Sequence, residues 1–227
     1  TPSHTPSPSA ASPEPSVSRP AQSSSVPSRS ASPEDDPPVR QSGPGTFTTA
    51  PGTGERVGEG EKLQRYQVTV EDGIDLSPDD VAKTVEEVLA DRRGWTADGR
   101  FSFQRVSSGP YEFVVRLATP ATVDRICGKY GLVTKGEVNC RVGKEVVVNL
   151  KRWNLATEFY TDDVEGYRAL IINHEVGHFL GEGHVTCPGP GSPAPVMMQQ
   201  IKGLKGCEPN VWPFDEDGKR ITGPAVP

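Results

Sequence analysis

An α+β domain behind an unfolded spacer is what this 227-residue chain predicts, and three observations carry that reading. A strand-like segment, an amphipathic helix, several Val- and Phe-rich strands and a second long helix follow one another, which suits a sheet covered by helices. Residues 1–45 are dominated by Ser and Pro and contain no Leu, Ile, Met, Phe, Tyr, Trp or Cys from which to build a core. Residues 185–227 are rich in Gly and Pro and show little periodicity, so a small irregular subdomain is expected there.

The first 45 residues bury too little apolar surface to offset their ordering entropy, so they are predicted to be a disordered, locally polyproline-like spacer. Residues 46–227 hold every aromatic residue and all four cysteines, a plausible size for one core divided into an upper part, 46–184, and the irregular part, 185–227.

Within the domain, Leu63 to Val70 alternates with Tyr66, Val68 and Val70 on one face, which predicts a strand. Ser77 is a good N-cap and Pro78 suits the first helical position. The stripe Val81, Val85, Val88 and Leu89 then continues to a stop before Gly94. Phe101 to Val106 and Tyr111 to Leu117 read as two strands of a hairpin turning at Ser107 to Pro110. Thr119 and Pro120 open a short helix ending near Cys127, and strands are expected at Glu137 to Arg141 and Glu145 to Leu150. Acidic residues at Asp162 and Asp163 favour the start of the last long helix.

The formal net charge of −6 and the absence of a basic run give no support for nucleic acid or anionic lipid as partner. No stretch is apolar enough to span a bilayer, and a monomer is expected. Cys127, Cys140, Cys187 and Cys207 lack the close pairs of a zinc ribbon, and their even number suits disulfides in an oxidising compartment. Proximity favours Cys127 with Cys140 and Cys187 with Cys207 among the three connectivities. A secreted or cell-surface location follows, with the spacer lifting the domain off an anchor upstream of Thr1.

The chemistry lies in His174-Glu-Val-Gly-His-Phe-Leu-Gly-Glu-Gly-His184. HExxH puts His174 and His178 one helical turn apart on one face, with Glu175 beside the first. Gly181 permits a left-handed exit from the helix, and three residues later His184 can return to the same point. Neutral imidazoles suit zinc, and three protein ligands leave the fourth position of a tetrahedral site open for water, with Glu175 as general base.

This HExxHxxGxxH pattern resembles that of the metzincin zinc peptidases, which place a methionine in a tight turn beneath the metal after the third histidine. Pro195-Val196-Met197-Met198-Gln199 falls at a suitable distance, and Met197 matches the turn better than Met198. The resemblance implies one catalytic zinc and a twisted mixed sheet with two long helices above it. It also implies an edge strand, near Glu137 to Arg141, that pairs with an extended peptide or protein substrate. Two residues depart from it: Gln199 stands where several metzincin families carry tyrosine, and Val185 follows the third histidine in place of their acidic, serine or proline residue. The wider pattern, His-Val-Thr-Cys-Pro-Gly-Pro-Gly with Ala-Pro-Val-Met-Met-Gln-Gln downstream, is most similar to a domain family of unassigned function in exported actinobacterial proteins. The expected activity is endopeptidase hydrolysis. The alternatives are a surface binding module that keeps its zinc without efficient turnover, or a zinc hydrolase of cell-wall amides.

Overall fold

The computed structural model describes residues 39–226, so residues 1–38 of the spacer expected over 1–45 lie outside the described residues. Residues 39–45, grouped with the spacer on composition, lie along the domain. The Ala121 amide donates to the Gln41 carbonyl (3.0 Å), and the Gly45 amide to Glu71 Oε1 (2.8 Å). Backbone hydrogen bonds, to which an apolar count is blind, hold this segment.

The fold is α+β. Its strands are β1 (Phe47–Thr49), β2 (Lys62–Glu71), β3 (Phe101–Arg105), β4 (Phe113–Ala118), β5 (Cys140–Val142) and β6 (Glu145–Asn149). Four helices join them: α1 (Pro78–Ala90), α2 (Pro120–Gly128), α3 (Leu150–Leu155) and α4 (Val164–Phe179). The strands form one open, twisted mixed sheet in the order β1-β2-β4-β6-β5, with β3 also paired to β2. β2, β4 and β6 are mutually parallel, whereas β1 and β5 run antiparallel to their neighbours.

The expected hairpin of β3 and β4 is not what forms. Both strands run parallel to β2, β3 against Lys62–Tyr66 and β4 against Tyr66–Val70. The burial explains it: Phe101, Ser102 and Phe103 are all buried, as are Phe113, Val114 and Val115, the signature of strands covered on both faces. The helix crossovers β2-α1-β3 and β4-α2-β6 supply the length that parallel neighbours require.

Alternate residues of β6 divide the core. Val146 and Val148 face α1 and α4 together with Val81, Val85, Leu89 and Ile172, and Val147 faces α2 with Val123 and the Cys127–Cys140 disulfide. α1 starts as its sequence dictates: Ser77 Oγ accepts from the Asp79 amide (3.2 Å), and Pro78 occupies the first turn. Asp163 caps α4 by accepting from the Gly166 amide (2.8 Å). β5 is shorter than expected, because Glu137 and Val138 turn back on the Thr134 carbonyl instead of extending. After β6 the backbone turns at once into α3, where Asn149 accepts from the Lys151 amide.

Beyond α4, the chain has little regular structure and is tied by the Cys187–Cys207 disulfide, as cysteine proximity favoured. No helix among the described residues is long and apolar enough to cross a membrane.

Glu71, at the end of β2, is a buried carboxylate with four donors. The Gly45 and Thr119 amides and the hydroxyls of Thr119 and Thr122 all point at it. Thr119 makes no side-chain cap of its own, so Glu71 serves the start of α2 and at the same time holds the N-terminal segment.

Candidate metal centre

α4 ends where its glycine allows. The Gly181 amide donates to the His178 carbonyl (3.2 Å) and the Glu182 amide to the Gly177 carbonyl (2.9 Å), the paired bonds of a Schellman stop. Gly181 has φ +96°, a conformation that a side chain would strain. The reversal returns the chain over the helix end and brings His184 to His174 and His178. The three Nε2 atoms converge, with separations of 3.0 Å (178 to 184), 3.2 Å (174 to 178) and 3.3 Å (174 to 184).

These distances fit a metal ion. Tetrahedral ligands at about 2.0–2.1 Å from a zinc-sized ion stand ~3.3 Å apart. The outer ring nitrogens fix which atom faces inward. His174 Nδ1 lies 2.7 Å from the Val196 carbonyl and His178 Nδ1 lies 2.9 Å from the Glu182 carbonyl. A carbonyl only accepts, so Nδ1 carries the hydrogen in both rings and Nε2 keeps its lone pair for a metal. Burial lowers the pKa of all three imidazoles, His174 to about 3, so they are neutral ligands at neutral pH.

Glu175 is buried on the same helix, and its desolvation pushes its pKa up to about 8, opposed by the Arg141 charge. A dication at the three histidines would pull it back towards the ionised form. Arg141 lies on β5 and donates from Nη2 to the His178 carbonyl (3.1 Å), fastening the sheet edge to the last turn of α4.

Met197 packs against α4 beside Gly177. The Met198 amide closes a turn on the Pro195 carbonyl, and the Val185 amide donates to the Met197 carbonyl, so the methionine segment and the third-histidine segment are joined by backbone. Met197 is buried in the main core, whereas Met198 packs with Ala194 and Cys207. Gln199 is exposed, and its Oε1 accepts from Lys202 Nζ (3.0 Å). Beneath the turn, Gln200 accepts from Tyr160 Oη (2.6 Å) and donates to the Asn210 carbonyl (2.8 Å).

Several residues that hold this arrangement escape a reading of the motif. Gly177, inside HExxH, allows Met197 and Trp95 to reach the helix. A Cβ there would meet Met197 Sδ and would lie 2.7 Å from Trp95 Cζ2. Gly177→Ala gains up to about 1 kcal/mol of helix propensity but forces overpacking that costs about 1–3 kcal/mol. A net loss of thermal stability is expected in an unfolding scan, and an increase in Tm would show that Met197 yields freely. Glu182, between the second and third histidines, bonds to Arg220 and lies 3.4 Å from Arg100. The Val226 amide donates to the His184 carbonyl (3.1 Å), and the Thr186 amide to the Pro224 carbonyl (2.9 Å). Such spatial partners leave no pattern in sequence.

A cleft of about 630 Å³ opens over the centre. One wall is Leu132 to Arg141, including the edge strand β5. The other runs from Met198 to Lys202, with His174, Glu175, His178 and His184 between them.

The architecture and the site together define a mixed α+β domain with a three-histidine centre able to hold a metal ion. Residues 34–220 match the family described as "Protein of unknown function (DUF3152)", and the chain belongs to that family. No curated protein and no solved structure matches the chain.

Proposed function

We propose that the protein is a zinc-dependent endopeptidase of the metzincin kind, acting outside the cytoplasm. One observation supports this above others: three Nε2 atoms at metal-chelating separations lie beside a buried glutamate, at the bottom of a cleft with a free strand edge. The all-imidazole donor set, with two rings oriented by backbone carbonyls, suits zinc. Zinc held there would acidify a water and polarise a carbonyl. The remaining work falls to the chain. β5, unpaired on its outer side, offers backbone donors and acceptors to an extended substrate. Glu175 takes the proton of the attacking water and passes it to the departing amine nitrogen. Met197 supports the ligand cluster from below, as the methionine of a metzincin turn does.

The two disulfides support an oxidising location. The decisive test combines zinc content by elemental analysis with cleavage of a broad peptide library and of cell-wall fragments. Stoichiometric zinc and chelator-sensitive peptide cleavage are expected. Zinc-loaded protein that cuts no peptide overturns the proposal, and cleavage confined to wall fragments transfers the chemistry to a different amide.

A further inference from the structure

The loop between α2 and β5 presents its apolar side chains outward. Among the described residues, the exposed large hydrophobics are Tyr130 (62%), Leu132 (44%) and Val133 (77%), all in this one loop. It is no loose excursion. The Tyr130 amide donates to the Cys127 carbonyl, the Gly131 amide to Gly128, and the Leu132 amide to Cys127. The Asp124 carboxylate accepts from the Thr134 hydroxyl and, at 2.7 Å, from the Gly136 amide. The Cys127–Cys140 disulfide ties the base of the loop to the sheet edge. With its backbone fixed this way, the loop cannot fold its three side chains back into the core.

Basic residues surround the tip. Lys129 and Lys135 flank it in sequence, and Lys144 lies in the β5–β6 turn, where a Cβ on Gly143 would lie 3.8 Å from Tyr130 Oη. Beneath Tyr130 is a cavity of about 270 Å³ lined by Arg116, Arg125, Lys129 and Glu145. The nearby carboxylates are already engaged, Glu145 with Arg116, Glu137 with Lys151 and Arg152, and Asp124 with the Thr134 hydroxyl and the Gly136 amide. Arg125, Lys129, Lys135 and Lys144 therefore have no carboxylate partner among the described residues. These cations come from α2, the loop and the β5–β6 turn, so no basic run in the sequence announces them.

We infer that this face docks on an anionic phospholipid bilayer. Tyr130, Leu132 and Val133 dip into the interface, and the surrounding cations meet the phosphate headgroups. An aromatic and two aliphatic side chains ringed by lysines suit the boundary between headgroup and acyl chain. Three side chains fall well short of the roughly 800 Å² per partner of a stable protein interface. A bilayer sets no such threshold, and it adds about fivefold in affinity for each basic residue near the anionic surface. Leu132 and Val133 also line the large cleft, so docking would bring the mouth of that cleft to the membrane surface.

Co-sedimentation of the full chain with large unilamellar vesicles tests this. Binding is expected to phosphatidylcholine vesicles containing phosphatidylglycerol, and it should vanish with pure phosphatidylcholine and weaken in high salt. Tyr130→Ser/Leu132→Ser/Val133→Ser should weaken binding on the order of a hundredfold, and Lys129→Glu/Lys135→Glu by tenfold or more, each at an unchanged Tm. Absence of binding to the anionic vesicles overturns the proposal, as does binding that neither variant weakens. It is equally overturned if the triple variant alters only the KM for a peptide, which would make the loop a wall of the cleft and nothing more. The vesicle-binding readouts do not require that the metal centre hydrolyse anything, so they stand or fall apart from the proposed activity.

Discussion

Glu175→Gln is expected to bind zinc with the wild-type stoichiometry and to lose peptide hydrolysis by about 10²–10⁴-fold, the usual contribution of a positioned general base. Glutamine keeps the length and shape of a side chain that is only 6% exposed, so the packing around α4 should survive. The three imidazoles are positioned independently of it, by the Val196 and Glu182 carbonyls and by the backbone on either side of His184. His184→Ala should show the opposite separation. If the free energy of a full zinc site, about 10–16 kcal/mol, is shared among its ligands, losing one costs ~3–4 kcal/mol, or about 10²–10³-fold in metal affinity. Competition against a zinc chelator measures the second effect, and turnover at saturating zinc measures the first. Wild-type turnover in Glu175→Gln would remove this carboxylate from the chemistry.

The largest effect on stability is expected at Glu71, remote from the centre. Glu71→Ala would leave two amides and two hydroxyls without their shared acceptor in a buried position, at a cost of about 3–5 kcal/mol. Denaturant unfolding should show the extrapolated free energy of unfolding lowered by that amount. The pH dependence has a definite sign. Desolvation opposes ionisation of Glu71, but the hydrogen bonds from Thr119, Thr122 and Gly45 together outweigh it and hold the carboxyl below the usual glutamate range. A carboxylate whose folded pKa is depressed stabilises the fold above its unfolded value, about 4.3, and that contribution is lost as the pH falls through the folded value. The stability difference between the wild type and Glu71→Gln should therefore be constant near neutrality and shrink in acid. A difference that grows on acidification would contradict this account.

The two proteins implied by sequence and by structure agree where the information is local. Ser77 and Pro78 set the start of α1, although it ends at Ala90, short of Gly94. Asp163 starts α4, and both disulfides join the nearest cysteines. His174, His178 and His184 come together because one helical turn and one glycine suffice to place them. What was missed depends on distant partners. Alternation in β4 suggests a hairpin, but the intervening Val114 is buried too, which a strand with one solvent-facing side would not show. α3 has six residues, too few for a 3.6-residue period to show. Glu71 reads as an ordinary acid after a strand until Gly45, Thr119 and Thr122 converge on it. Gly177 counts as a neutral position in the motif and turns out to set how closely Met197 and Trp95 approach.

The backbone bonds on either side of His184 also bear on how the chain matures. Its flanking amide at Val185 is held by Met197, and its own carbonyl by Val226, so the third ligand is located by segments that lie after it in the chain. α4, with its two histidines and Glu175, can form while those segments are still being synthesised, but the triad cannot close. Metal binding by the triad would thus wait until the downstream segments around Met197 and Val226 have docked.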